Sequence, residues 1–485
     1  MKNSKVIIFL QSLDAAEFAR FRKFVHSPFF NTHEKTTELF ELLASSYPTF
    51  EPEQVDKKRI FSKLYPDSAY DNNKLYVLKN YLLSLLMQFM AMEEKDVYYG
   101  VEHTYRLVRS MRRRNLDKYI GGVIRDGNKA LEEIPFRNPS FYYHGYKWED
   151  ETLSYKITQE NRNQKATFKE LLDNLDYFFL SQKLRYACTL LNRKAVVAVD
   201  EELSFMDEVL SYCGKHSFDH IPVVAIYYEL LMLMLEENVD KQAQHYEKLC
   251  KLMHKHDGIF SDTEDINVSG LIANYCSRQY KRGHSHYFRE MFEWYKRMCR
   301  WPKFFRSGRA SLIMFRNMVK LGIRLKEYQW TEEFIRANKD KIDIQYREGL
   351  AHFNLASLFF VREQYGKSLR YLQKVEFIDS YNRLDYNILL LKTYYECGYI
   401  EALLSLYSTF TTYIRRNKAL SQTNREAYMN FARFTRKLFG MKYDLTKRGV
   451  KPMSKKVREC KLLLERNWLE EKALEIEEDY GLLED

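Results

Sequence analysis

Residues 355–375 read LASLFFVREQYGKSLRYLQKV, two apolar runs separated by a polar stretch that holds Gly366-Lys367-Ser368. Those three residues are the tail of a phosphate-cradling loop, so the stretch reads either as a nucleotide site or as a joint between two helices. A phosphate loop needs G-x-x-x-x-G-K-[ST] behind a strand, because successive backbone N–H groups must converge on the phosphate. Five residues before Gly366 stands Val361, not glycine, and the preceding segment has helical periodicity. The stretch is therefore expected to be a helix–helix joint, with Gly366 at the joint and Ser368 where the helices approach closely.

A shift of 34 residues supports this. It places Leu355 on Leu389, Tyr365 on Tyr399, Ser368 on Ala402 and Leu372 on Leu406. The second copy reads LLLKTYYECGYIEALLSL, and a looser one, LGIRLKEYQWTEEFI, lies 37 residues before the first, with Tyr328 in the turn and Thr331 at the small position. These stretches resemble the tetratricopeptide repeat: Leu355, Ala356, Phe359, Tyr365, Ser368, Leu372 and Val375 fall where that family places its consensus residues, while Thr393 stands where an aromatic is usual. The resemblance covers about 310–416; over 98–300 it rests on length and helix pairing alone. It implies stacked antiparallel helix pairs in a right-handed superhelix with a concave groove. It also implies that the first helix of each pair lines that groove, through Leu350, Phe353, Ser357 and Phe360 and then Leu384, Asn387, Leu391, Tyr394 and Tyr395. The family's clamp for a peptide C-terminus uses Lys, Arg and Asn on that face. Here the face is mostly apolar and aromatic, so an amphipathic helix or an extended apolar segment is the expected ligand.

Composition agrees with an all-α reading. The 485-residue chain has only 9 Pro and 17 Gly, and no proline occurs between Pro302 and Pro452. Both residues interrupt helices. The 37 Tyr, 32 Phe and 5 Trp suit helix packing and interfaces, although a biased genomic base composition would raise Tyr and Phe equally. Seven scattered cysteines without a C-x-x-C pair read as thiols in a reducing compartment. The N-terminus has only five consecutive apolar residues, Val6–Leu10, too few for a signal-peptide core. The most apolar internal stretch, 223–235, contains Glu229, and no membrane span is expected. Together these features point to a cytoplasmic protein.

Three regions are expected: an N-terminal helical domain (1–97), a helical repeat array (98–420), and C-terminal helices (421–485) with a basic segment before an acidic end. About ten helix pairs would fill the array. In the first region Leu75, Leu78, Leu82, Leu85, Phe89 and Met92 share one helix face. Ser12 is read as the cap of AAEFARFRKFV, Pro28 as its stop, Asn31 and Glu34 as a capping box, and Pro52 as a first-turn residue.

No catalytic, metal or cofactor constellation emerges. Cys213, His216 and His220 have steps of three and four, but Gly214, Ser217 and Pro222 predict that the helix ends there. Charge is the remaining lead. Residues 433–461 carry eleven Lys/Arg against two acids, which is +9 of the chain's +11, and 465–485 carry nine acids against two bases. The two stretches could neutralise one another or present a phosphate-tracking surface. Two further basic sites are Arg106, Arg109 and Arg113 on one helix face, and 296–309, where Lys303, Arg306 and Arg309 are interspersed with Trp301, Phe304 and Phe305. Aromatic–basic mixing suits single-stranded nucleic acid. Two functional expectations follow: a non-enzymatic scaffold holding a protein or peptide partner, or a nucleic-acid-binding repeat protein using the patches at 106–113, 296–309 and 433–461.

Overall fold

The computed structural model describes residues 1, 3–94, 96–159, 168–194, 201–305, 308–342, 344–375, 380–417, 420–443 and 453–480. Among the described residues every regular element is a helix and there is no strand. The chain divides into two compact units, 1–179 and 180–485.

The first unit opens with α1 (Lys5–Ser12), α2 (Ala15–His26), α3 (Glu34–Ala44), α4 (Lys57–Leu64) and α5 (Asn72–Glu93). These share one core running from Val6 to Phe89. Leu75, Leu78, Leu82, Leu85 and Phe89 of the expected row are buried together with Leu86, whereas Met92 is exposed. By length and composition α5 is the one described helix that could cross a membrane, but its buried row belongs to this core.

The helix boundaries correct several sequence expectations. The cap of α2 is Asp14, in a reciprocal box with Glu17, because Ser12 still belongs to α1. The helix stops before Pro28, as expected. Asn31 makes no box with Glu34; its amide bridges Val25 O and Thr37 Oγ1 while its oxygen accepts from His33 N. Helix α4 starts five residues after Pro52, capped by Asp56. A local polar residue is only eligible to cap, and the packing of the core selects which one does.

The first unit continues with α6 (Tyr99–Arg112), α7 (Ile120–Glu132), α8 (Pro139–Gln159) and the start of α9 (Lys169–Lys194). Trp148 of α8 is buried with its indole over Gly127, and its Nε1 donates to Asn128 Oδ1 at 2.7 Å. His144, on the same helix, lies flat on Tyr98 with ring centroids 4.5 Å apart. Its Nε2 is 3.9 Å from Glu102, yet its Nδ1 has no partner. Burial outweighs the attraction of Glu102 and holds the imidazole below its ordinary 6.5.

The second unit contains α10 (Met206–Lys215), α11 (Pro222–Leu235), α12 (Val239–Lys255), α13 (Asp262–Lys281), α14 (Tyr287–Met298), α15 (Gly308–Arg324), α16 (Tyr328–Asn338), α17 (Ile344–Val361), α18 (Tyr365–Leu372), α19 (Ser380–Cys397), α20 (Ile400–Arg416), α21 (Gln422–Tyr443), α22 (Ser454–Glu459) and α23 (Arg466–Asp479). Consecutive helices pack as hairpins: α11 with α12, α13 with α14, α15 with α16, α17 with α18 and α19 with α20; α17 also meets α15 and α19. The core spanning Ala356 to Ile476 runs without a break past residue 420 into α21–α23.

One turn geometry recurs in both units. Asn115, Gly283, Lys326, Glu363 and Gly398 have left-handed φ of 57°, 103°, 61°, 59° and 71°. The next residue donates back five positions in every case: Leu116 N to Met111 O, His284 N to Gln279 O, Glu327 N to Gly322 O, Gln364 N to Phe359 O and Tyr399 N to Tyr394 O, at 2.9–3.1 Å. This is the Schellman closure, which satisfies carbonyls that a helix end otherwise leaves bare. In the opening stretch the joint is therefore Glu363, not Gly366, which is exposed in the first turn of α18 with nothing near its missing Cβ. Ser368 is fully buried, as expected, and its hydroxyl donates to Ala356 O at 2.9 Å. In the preceding hairpin Thr331 is equally buried, and a Cβ on Gly322 would sit 2.2 Å from its Oγ1. A small residue on the first helix facing a small hydroxyl on the second lets the two backbones approach.

Two outcomes follow. Glycine tolerates a left-handed φ without the Cβ penalty, so Lys326→Gly and Glu363→Gly should each stabilise the fold by about 0.5–1 kcal/mol in urea titrations. Burial disfavours the protonated imidazole of His144 in the folded chain, whereas the unfolded chain binds its proton near the ordinary 6.5. Stability should therefore fall as pH drops below about 6.5, and His144→Gln should flatten that slope between pH 7.5 and 5.5.

Candidate functional site

The first helices of three successive hairpins, α15, α17 and α19, form a groove of about 280 Å³. Val319 and Ile323 line it from α15, Phe353, Asn354, Ser357 and Phe360 from α17, and Ile388 and Leu389 from α19. At its rim Lys392 Nζ bonds Glu465 at 2.6 Å and lies 4.7 Å from the Phe360 ring centroid, while Asp385 bonds Arg316 at 2.6 Å. Asn354 is only 4% exposed, and its Nδ2 has no hydrogen-bond partner. A buried amide N–H left unpaired costs about 1–3 kcal/mol, so the wall of the groove holds one donor without a partner of its own.

Of the sequence-predicted groove residues, the structure brings Phe353, Ser357 and Phe360 to this place. Leu350, Leu384, Asn387, Leu391 and Tyr395 are buried, Tyr394 is half-buried, and none of the six lines the groove. The C-terminal helices explain part of the difference. Tyr395 packs edge-on against Phe439 of α21 and Trp468 of α23, with centroids 5.6 and 5.2 Å away, and Leu384 and Leu391 share that core. Asn354 was missed because a lone Asn inside an apolar helix carries no signal until its neighbours are placed.

The C-terminal cover is held by buried charge. Lys472 is 6% exposed and reaches Glu475 at 2.6 Å, Glu471 at 3.0 Å and Glu396 at 3.4 Å. Burial alone would lower its pKa, but these carboxylates raise it well above the ordinary lysine value. Glu477, almost fully buried, accepts from Ser454 N at 2.8 Å and Ser454 Oγ at 2.7 Å, fixing the start of α22.

The basic patches are largely engaged with acids and rings. Arg106 meets Glu102 at 3.0 Å and Arg109 Nε meets Glu151 at 2.7 Å, leaving Arg113 exposed. In the second patch Arg297 forks onto Asp265 and also pairs with Asp257, and Trp301 Nε1 donates to Asp265 at 2.6 Å. Phe304 and Phe305 are buried, so their faces are not presented for stacking, and Lys303 is exposed. Arg306 and the side chain of Arg309 lie outside the described residues. Within 433–461, residues 444–452 are likewise outside; Arg436 lies over Tyr407, Lys442 over Tyr395, and Arg458 pairs with Glu470 of the acidic helix.

Helix α10 ends at Lys215, so Cys213, His216 and His220 do not share a helix face. Burial pushes the Cys213 thiol up to about 11, and His216 stacks on Tyr212. Beside them is a cavity of about 490 Å³, where the buried Glu229 accepts from His245 Nδ1 at 2.6 Å and Lys248 Nζ at 2.7 Å. Among the described residues no three His, Cys, Asp or Glu are grouped to hold a metal ion. The chain matches no family model, no curated protein and no solved structure.

Asp265 is 2% exposed and balances Arg297 across two helices. Asp265→Ala takes from Arg297 and Trp301 the buried carboxylate they share and leaves the guanidinium with the exposed carboxylate of Asp257, so it should cost about 3 kcal/mol in chemical denaturation, while Lys303→Ala should leave stability unchanged.

Proposed function

We propose that the protein is a non-catalytic scaffold of tetratricopeptide-like hairpins that holds an extended apolar segment of a partner protein in the α15–α17–α19 groove. The observation that carries this reading is the unpaired Nδ2 of Asn354 on an otherwise largely apolar wall. An extended peptide offers a backbone carbonyl to such a donor, whereas a helical ligand has already spent its carbonyls on its own turns. Phe353, Phe360, Ile323 and Ile388 supply apolar contact, and Ser357 leaves room between them. The recurrent turn and the small–small approach of α15–α16 and α17–α18 support the repeat assignment. The C-terminal helices act in this reading as the polar-faced cap that a repeat array needs at its end.

Affinity purification from native cells, with nuclease and high salt, should recover a protein partner with the wild-type chain. Asn354→Ala should weaken that association about tenfold, and Ser357→Arg, which places a long cation in the groove, should abolish it, with the melting temperature of each variant close to wild type. Retention of the partner by both variants would reject the groove, and material lost with nuclease would point to nucleic acid instead.

A further inference from the structure

A further cavity, sharing no lining residue with the groove, lies between α16, the end of α17 and α18. It has a volume of about 450 Å³, within the range that holds a small molecule. Its wall carries Arg336, Arg362, Lys367, Arg370 and Lys374 against a single carboxylate, Glu332. That carboxylate is already spent, at 2.9 Å from Arg336 and 3.2 Å from Arg362, and it orients the two guanidinium groups. Tyr371 stacks on the buried Phe359 at 5.4 Å to form the floor, and Arg336 Nη2 bonds the Tyr371 hydroxyl at 3.3 Å. Lys367, Arg370 and Lys374 are exposed and meet no carboxylate among the described residues. Five cations thus converge on one concave surface.

We propose that this cup is a binding site for a compact polyphosphate, an anion with two or more phosphate groups. A concave surface of one charge sign focuses the field on its contents, and guanidinium groups match phosphate oxygens two at a time. The cations reach one cavity from α16, the end of α17 and α18, which fits one compact ligand better than a nucleic-acid backbone. Phe359 is buried and partly covered by Lys367, 5.5 Å from its ring centroid, so recognition rests on the phosphates rather than on base stacking. Lys367 thus faces phosphate after all, although Gly366-Lys367-Ser368 forms no phosphate loop: the contact is made by side chains from two hairpins. This site is independent of the groove and stands whether or not a peptide binds there.

The test is calorimetric titration of the full chain with tripolyphosphate, ATP and inositol hexakisphosphate in separate runs at near-physiological salt. Saturable one-site binding by at least one is expected. Equal affinity for tripolyphosphate and ATP would identify the phosphates alone as the ligand, and tighter ATP binding would identify a nucleotide; both support the site. Lys367→Gln and Arg370→Gln change exposed side chains and should each weaken binding about tenfold, while Gly366→Ala should leave it unchanged. The proposal is overturned by absence of saturable binding to all three. It is equally overturned if the double glutamine variant binds as wild type, or if an oligothymidine binds with affinity that grows with length and is not displaced by tripolyphosphate.

Discussion

A helix that stops leaves its last carbonyls without partners, and a helical array can stack only if every reversal covers them. Five reversals in this chain use one left-handed residue followed by a backbone bond five positions back. Because the turn is so short, the two helices it joins must run antiparallel and touch along their length. Gly322 against Thr331, and Ala356 against Ser368, then set how closely they touch. Two concave surfaces follow from that arrangement: a groove built from the first helices of successive hairpins, and a cup built from the second helices with the end of α17.

The two surfaces differ in how charge is used. In the groove, Lys392 is bonded to Glu465 and Asp385 to Arg316, so the centre is left to apolar side chains and one unpaired amide. In the cup a single glutamate serves two arginines, and three further cations stand free of acids among the described residues. Longer basic runs are less available, because Arg297, Arg109 and Arg458 each face a carboxylate brought from another helix. A count of charge along the chain cannot separate these cases, since pairing depends on which helices become neighbours.

Much of the architecture was legible. Helical periodicity and scarce proline pointed to an all-α chain, and Leu355, Leu372 and Ser368 are buried where close packing was expected. The turns were less so, because only Gly283 and Gly398 of the five left-handed residues are glycine; Lys326 and Glu363, both exposed, adopt the same conformation. Caps were misplaced for a related reason: Ser12 and Asp14 are both competent, and the end of α1 decides between them. Phe353, Ser357 and Phe360, expected together on the first helix of a pair, line the groove, while Asn354 was not among the expected residues.

By itself the sequence determined that the chain is helical and which small residues permit close approach, because these depend on spacing along one or two adjacent helices. Only the tertiary structure decided which faces stay open. Tyr395 and Leu391 look like groove residues until α21 and α23 fold over them, and Arg336 joins Lys367 only because consecutive hairpins stack. Exposure and charge convergence are properties of neighbours distant in sequence, and periodicity carries no information about them.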